Sequence, residues 1–169
     1  MITPDYCRTM ARYNAWQNQL LTKSLEALPD KELKKNRKAF FGSIFATVNH
    51  LLWGDWLWIS RFDGGQGPDI SDLTKVDTTA TTKTLADWSL QRFRMDGRIN
   101  QWAKGVSNTE LTGDLTWFSG SVQREISKPK ALCIAQFFNH QTHHRGQVHA
   151  MIGAAGGDMY VTDIPFMPE

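Results

Sequence analysis

Residues 131–153 read ALCIAQFFNHQTHHRGQVHAMIG, and this stretch combines a helical apolar period with four of the chain's five histidines. On a helix that advances about 100° per residue, His140 and His144 lie only about 40° apart, one turn above the other. The same side of the predicted helix carries the apolar residues Cys133, Phe137, Val148 and Met151. We therefore predict that both imidazoles point into the protein interior.

The other polar residues of this segment are less well placed for a buried site. His143 lies about 60° to the other side of His140, nearer the polar edge of the helix. We expect it behind the inward pair or at the surface, and an i,i+3 pair with His140 is the lesser alternative. His149 is expected to be structural or exposed. Arg145 could orient an anionic substrate, although the pattern favours a surface role.

The fifth histidine, His50, belongs to a stripe in which residues recur at spacings of four, three and four: Ala46, His50, Trp53 and Leu57. If this stripe faces the interior, His50 completes a three-nitrogen face with His140 and His144. Such a face leaves a coordination position open for water or substrate. The alternative is three ordinary core histidines, but burying three imidazoles without a ligand is costly. Spacing therefore favours a metal site, and imidazole suits zinc, nickel, copper or iron.

The sequence lacks the motifs of several well-known enzyme classes. No Glu follows His140 in the His-x-x-x-His segment, so the base of zincin proteases is missing. The chain also has no GxSxG, P-loop or GxGxxG sequence. Cys133 lies about 10 Å along the helix axis from His140, too far for a nucleophile–base pair, and is predicted to pack in the core. Asp55 is predicted to form a structural ion pair or cap, and Trp53 to line a pocket.

Three further segments have helical length and period, at about residues 4–28, 43–62 and 84–105. Pro4 suits a first helical turn, and Ser43 is a candidate N-cap. The polar run at 31–38 is predicted to be a solvated connection. Four helices of about 20 residues are each about 30 Å long, which matches a four-helix bundle.

The connections between these helices are long. Residues 64–83 are rich in Asp, Thr, Gly and Pro and are predicted to form a surface crossover. Residues 111–126 alternate between apolar and polar around Gly120, which predicts a small β-hairpin before the fourth helix. We therefore predict an all-α fold with one long crossover and a hairpin excursion, in a single domain over residues 1–169.

Composition excludes several classes of protein. The 169 residues are 41% hydrophobic and 21% charged, which is typical of a globular domain. The net charge of +2 gives no support to nucleic-acid binding. The most apolar stretch, residues 48–59, contains His50 and Asp55, so no membrane span is predicted. Two distant cysteines and a start without an apolar leader predict a cytoplasmic protein.

Four segments of the chain resemble signatures of one family: residues 11–18, 40–58, 139–147 and 162–166. They run ARYNAWQN, FFGSIFATVNHLLWGDWLW, NHQTHHRGQ and TDIPF, and they resemble the DinB family of metalloenzymes. The resemblance implies an up-down-down-up four-helix bundle that often forms homodimers. It also implies one divalent metal ion, with zinc or nickel favoured, held by His50, His140 and His144.

The resemblance also bears on function. Relatives in the wider superfamily include transferases and isomerases that use low-molecular-weight thiols, so a thiol S-transferase acting on a small electrophile is favoured. Metal-assisted hydrolysis is the close rival. A non-catalytic, metal-binding stress-response dimer is the alternative from another class of protein.

Overall fold

The computed structural model of the protein describes residues 2–72, 75–120 and 122–169. In these residues the chain forms α1 (Pro4–Glu26), α2 (Asp30–Lys34), α3 (Ile44–Asp63), α4 (Leu85–Gly105), β1 (Asp114–Ser119), β2 (Arg124–Pro129) and α5 (Lys130–Ala154). The mostly helical fold and the antiparallel hairpin before the last helix are confirmed. Residues 73–74 of the predicted crossover and residue 121 of the predicted hairpin lie outside the described residues.

Side-chain caps fix where the long helices begin. Thr3 accepts a hydrogen bond from the Tyr6 amide at 3.1 Å, and Ser43 accepts one from the Ala46 amide at 3.1 Å. At the start of α4 the hydroxyl of Thr84 accepts from the Asp87 amide. Each cap satisfies a backbone N–H that has no partner within the helix, which is worth about 1 kcal/mol. The predicted N-cap at Ser43 is confirmed.

The short helix α2 differs from the prediction of a solvated connection at residues 31–38. Pro29 takes the extended conformation of a helix cap, and Asp30 and Glu32 place negative charge at the helix start. Leu33 is only 2% exposed and packs into the core beside α3. One buried leucine in a polar run produces no apolar period, so the pattern could not reveal this helix.

The four long helices pack in a ring, in which α1 and α3 each contact both α4 and α5. Two apolar clusters fill the interior. One contains Cys7, Ile59, Ile99 and Phe137, and the other contains Leu21, Ile44, Trp88 and Ile152. Cys133 is buried as a free thiol, as predicted. In the described part of the chain, no helix has the length and apolarity needed to cross a membrane.

A buried ionic network crosses the interior around Arg92, which is 1% exposed. Its guanidinium forms ion pairs with Asp55 at 2.5 Å and with Asp96 at 2.8 Å. Asp96 also accepts a hydrogen bond from Asn18 at 2.9 Å, and Asp55 accepts one from Gln141 at 3.0 Å. The network therefore ties α1, α3, α4 and α5 together, and the predicted ion pair of Asp55 is confirmed.

Candidate metal centre

Three histidines from two neighbouring helices meet at one point. His50 comes from α3, and His140 and His144 come from successive turns of α5. One ring nitrogen from each lies within 4.8 Å of the other two. The Nε2 atoms of His50 and His140 are 3.3 Å apart, and the ring centroids of His140 and His144 are 4.4 Å apart. The cluster that the spacing predicted is therefore present in the fold.

Hydrogen bonds hold two of the three rings in place. The His144 Nδ1 atom lies 2.8 Å from the amide oxygen of Gln147, which can only accept, so this nitrogen donates and Nε2 keeps its lone pair. The amide nitrogen of Gln147 in turn lies 3.1 Å from His143. The His50 Nδ1 atom lies 2.9 Å from the Thr78 hydroxyl. Such outer partners orient ligand rings and fix their tautomers.

All three imidazoles are held neutral. Burial, reinforced by His140 and His144, lowers the pKa of His50 to about 4. Burial and the neighbouring His144 lower the pKa of His140 to about 4, and burial also lowers the pKa of His144. Neutral imidazole is the form that binds a metal ion, so near pH 7 protons do not compete for these nitrogens.

Two residues shape the space around the cluster. The Phe41 ring stacks on His50 with centroids 4.0 Å apart, which covers the imidazole on one face. Gly54 lies against His140, where an added Cβ would come within 2.7 Å of Cε1. Only glycine at position 54 thus leaves room for the ring where it stands. Among the described residues, the buried His140 Nδ1 atom has no hydrogen-bond partner.

The donor set fits a divalent transition metal. Three neutral imidazoles converge, and imidazole is a ligand of zinc, nickel, copper and iron, whereas calcium and magnesium prefer oxygen. Three protein ligands also leave a coordination position for water or substrate, as in catalytic zinc sites. The residues present therefore match the chemistry that the spacing predicted.

The other predicted site residues do not belong to the three converging histidines. His143 is exposed, its ring centroid lies 4.9 Å from that of His144, and its Nε2 atom lies 3.1 Å from the amide nitrogen of Gln147. Arg145 is 5% exposed, donates to the side chain of Asn14 and lies over the Tyr13 ring, so the favoured surface role was wrong. It is buried because its guanidinium serves the polar network between α1 and α5.

Trp53 lines a cavity of about 770 Å³ beside α3, and none of the three histidines is among the residues that line it. The stripe of Ala46, His50, Trp53 and Leu57 is half-buried rather than part of the fully buried core.

Sequence reasoning missed three residues that contact the histidines: Phe41, Thr78 and Gln147. Gln147 follows His144 by three residues on the same helix, so helical spacing alone could have identified it. Thr78 lies in the crossover, 28 residues from His50, and no periodicity connects the two.

Fold and site together define a mostly helical protein with a three-histidine candidate metal centre. The DinB family model matches residues 1–169, and the chain belongs to this family. It is 26% identical to Protein DinB of Bacillus subtilis (strain 168) over 165 residues, which cover 94% of this chain and 91% of that protein. No solved structure matches the chain. The family resemblance identified from the sequence is confirmed.

Proposed function

We propose that the protein binds one divalent metal ion, zinc or nickel, through His50, His140 and His144. The observation that carries this proposal is the convergence of three ring nitrogens within 4.8 Å. Burial keeps these rings neutral, and Thr78 and Gln147 hold two of them in place.

The proposed bundle has up-down-down-up topology, in which α1 and α5 share one direction. In support, Tyr6 in the first turn of α1 packs on Phe138 in the first half of α5, with ring centroids 5.9 Å apart. About two turns further along each helix, the Arg145 guanidinium lies 5.5 Å from the Tyr13 ring. Contacts that advance together along both helices are those of a parallel pair.

The proposed topology gives α3 and α4 the opposite direction. Trp88, early in α4, donates to the Val48 carbonyl early in α3, and Trp102 stacks on Phe62 late in both helices. Phe62, at the end of α3, also packs on Phe137 near the start of α5. Two consecutive parallel helices need a connection that runs the length of the bundle, which is the role of the long crossover.

The activity that we favour is transfer of a low-molecular-weight thiol to a small electrophile. A divalent ion supplies Lewis acidity, which lowers the pKa of a thiol or water bound to it. The chain contributes only neutral ligands, so the positive charge of the ion is not reduced by a protein carboxylate or thiolate. The apolar cavity beside Trp53 offers space for an electrophile next to the turn that carries His50.

Residues around the proposed centre hold ligands and exclude water. Thr78 and Gln147 restrict rotation of the His50 and His144 rings. Phe41 shields one face of His50, and the apolar side chain of Trp53 lies one turn further along the helix.

Cobalt substitution tests this function. Cobalt-loaded protein is titrated with glutathione, bacillithiol or mycothiol while its electronic absorption is recorded, and turnover of an electrophile is measured with each thiol. We expect a thiolate-to-cobalt charge-transfer band and thiol-dependent turnover in wild type and His149→Ala, both absent from His144→Ala. Ester or amide hydrolysis that needs metal but no thiol would favour the hydrolase. Metal binding with no reaction, and no binding of thiol, would favour the non-catalytic dimer.

The homodimer and the cytoplasmic location are further proposals. Leu90 and Phe93 on α4 are 49% and 74% exposed, and such an outward apolar surface supports contact with a second copy. The free buried thiols of Cys7 and Cys133 support a reducing compartment. Sedimentation equilibrium of wild type beside Phe93→Ser checks the dimer, because a weaker association constant in the variant is expected.

A further inference from the structure

Arg61, near the end of α3, has an unusual environment for a half-buried guanidinium. Its Cζ atom lies 4.8 Å from the ring centroid of Trp58 and 5.2 Å from that of Trp117 on the hairpin. The two indole rings are 5.6 Å apart and inclined at 69° to one another, so the guanidinium lies in the corner that they form. A planar cation against aromatic faces is favourable and restricts the orientation of the side chain.

Among the described residues, Arg61 forms no ion pair and no hydrogen bond through its guanidinium. Three other shielded arginines have carboxylate partners: Arg37 pairs with Glu32, Arg92 with Asp55 and Asp96, and Arg98 with Asp63. The buried Arg145 has no carboxylate partner but donates to the side chain of Asn14. The nearby Cys133 does not replace one, because burial raises the pKa of its thiol and keeps it neutral. The donors of the Arg61 guanidinium are therefore left for a ligand.

These donors face the cavity of about 770 Å³ beside α3. Its walls are mostly aromatic and apolar, with Trp53, Leu57, Trp117 and Phe118 among them. Asp72 also contributes to the wall, but its carboxylate is 2.7 Å from the Lys75 ammonium. Arg61 thus provides a cation in a chamber suited to a flat apolar molecule.

The position of Arg61 relates this chamber to the histidines. Eleven residues separate it from His50, which brings the two side chains to within about 20° of one another around the helix. The same separation is about 16 Å along the axis. Leu57 lies on the same face between them. A ligand anchored at Arg61 would therefore extend along α3 towards His50.

We propose that Arg61 is an anion-binding residue and that the cavity takes an aromatic carboxylate. The carboxylate pairs with the guanidinium, and the aromatic body lies among the indole rings. The further statement that this ligand is the substrate of the metal centre rests on the proposed function. Binding of the carboxylate to Arg61 does not depend on that function, because Arg61 is not a metal ligand.

Calorimetric titration with two matched probes tests this inference. 2-Naphthoate and 2-naphthylmethanol share the ring system and differ in charge. Wild type should bind the carboxylate more tightly by roughly tenfold or more, since a hydrogen bond to a charged group is worth that much. Arg61→Gln should remove the preference, and Arg61→Lys should weaken it because lysine lacks the planar fork. Arg94→Gln, at an exposed arginine of α4 outside this cavity, should behave as wild type.

Equal affinity of wild type for both probes, or an unchanged preference in Arg61→Gln, would overturn the inference. Trp117→Leu is the second variant, in case Arg61→Gln does not fold. It removes one of the two indole rings against the guanidinium and should lower carboxylate affinity several-fold while leaving the charge in place. The titrations are performed on the full chain as purified and again after chelation. A preference that survives chelation separates this inference from the proposed metal chemistry.

Discussion

The Nε2 atoms of His50 and His140 lie 3.3 Å apart, although 90 residues separate the two histidines in the chain. This contact depends on the register between α3 and α5. One residue further along each helix, Asp55 follows Gly54 and accepts a hydrogen bond from Gln141, which follows His140. The buried network and the histidine cluster are therefore adjacent parts of one helix–helix contact, and each fixes the position of the other.

Gly54→Ala should displace the His140 ring, because the new Cβ would come within 2.7 Å of its Cε1 atom. We expect metal affinity to fall by about tenfold or more, since small displacements of a ligand are poorly tolerated. Competition with a chromophoric chelator measures the change. Gly97→Ala is the matched control: its Cβ meets nothing within 4 Å, so affinity should not change and stability should rise by about 0.5–1 kcal/mol. Equal metal affinity in both variants would show that Gly54 does not seat His140.

Gln147→Leu removes the acceptor for the His144 Nδ1 proton while keeping a side chain of similar size. Loss of such a partner is expected to lower metal affinity by about 10–100-fold. Thr78→Val should act in the same direction through His50. The exposed Gln101, on α4, provides the control substitution Gln101→Leu. Chelator competition on all four proteins gives the comparison, and wild-type affinity in Gln147→Leu would contradict the role assigned to this amide.

Arg92→Met should destabilise the fold strongly, because it leaves the carboxylates of Asp55 and Asp96 buried without their cation. Removal of one partner from a buried ion pair lowers the free energy of unfolding by about 3–5 kcal/mol. Urea unfolding monitored by circular dichroism measures the loss. Arg94→Met, two residues along α4 at an exposed position, should stay within about 0.5 kcal/mol of wild type. If Arg92→Met changed the free energy of unfolding as little as Arg94→Met, the buried ionic network would contribute little to stability.

Metal-free protein should lose stability as the pH falls from about 6.5 towards about 4. In the folded state burial lowers the pKa of His50 and His140 from 6.5 to about 4. Between these values the two histidines bind more protons in the unfolded chain than in the folded one, so they make the free energy of unfolding increase with pH across this window. Asp96, whose pKa burial raises to about 6, contributes with the opposite sign but is a single group against two. Urea unfolding of chelated protein at several pH values tests this, and His50→Gln should show a shallower dependence. If the free energy of unfolding of His50→Gln depended on pH as steeply as that of wild type, the pKa of His50 would not be lowered in the folded chain.

Much of the fold follows from local patterns. Ser43 caps α3 where the sequence indicated, because a hydroxyl before an apolar helical run satisfies a free amide. The pairing of His140 and His144 follows from helical spacing in the same way. Both depend only on residues within a few positions of one another, which is why the sequence alone is sufficient.

Other features depend on contacts between distant segments. The burial of Arg145 against Asn14 and Tyr13 joins the two ends of the chain, and a lone arginine after two histidines carries no sign of it. The contact between Thr78 and His50 comes from an irregular segment with no period. The short helix α2 is stabilised by one leucine in a polar run. Each is determined by tertiary packing, which overrides the local preference.

The metal content of the purified protein is the most direct test of whether three histidines hold one metal ion. Zinc and nickel are measured by mass spectrometry on tag-free wild type, on His50→Ala, His140→Ala and His144→Ala, and on His149→Ala as the control. We expect about one equivalent of metal in wild type and in the control, and its loss from the three ligand variants. Equal or negligible metal in all five proteins, with no uptake when ions are added, would contradict this expectation.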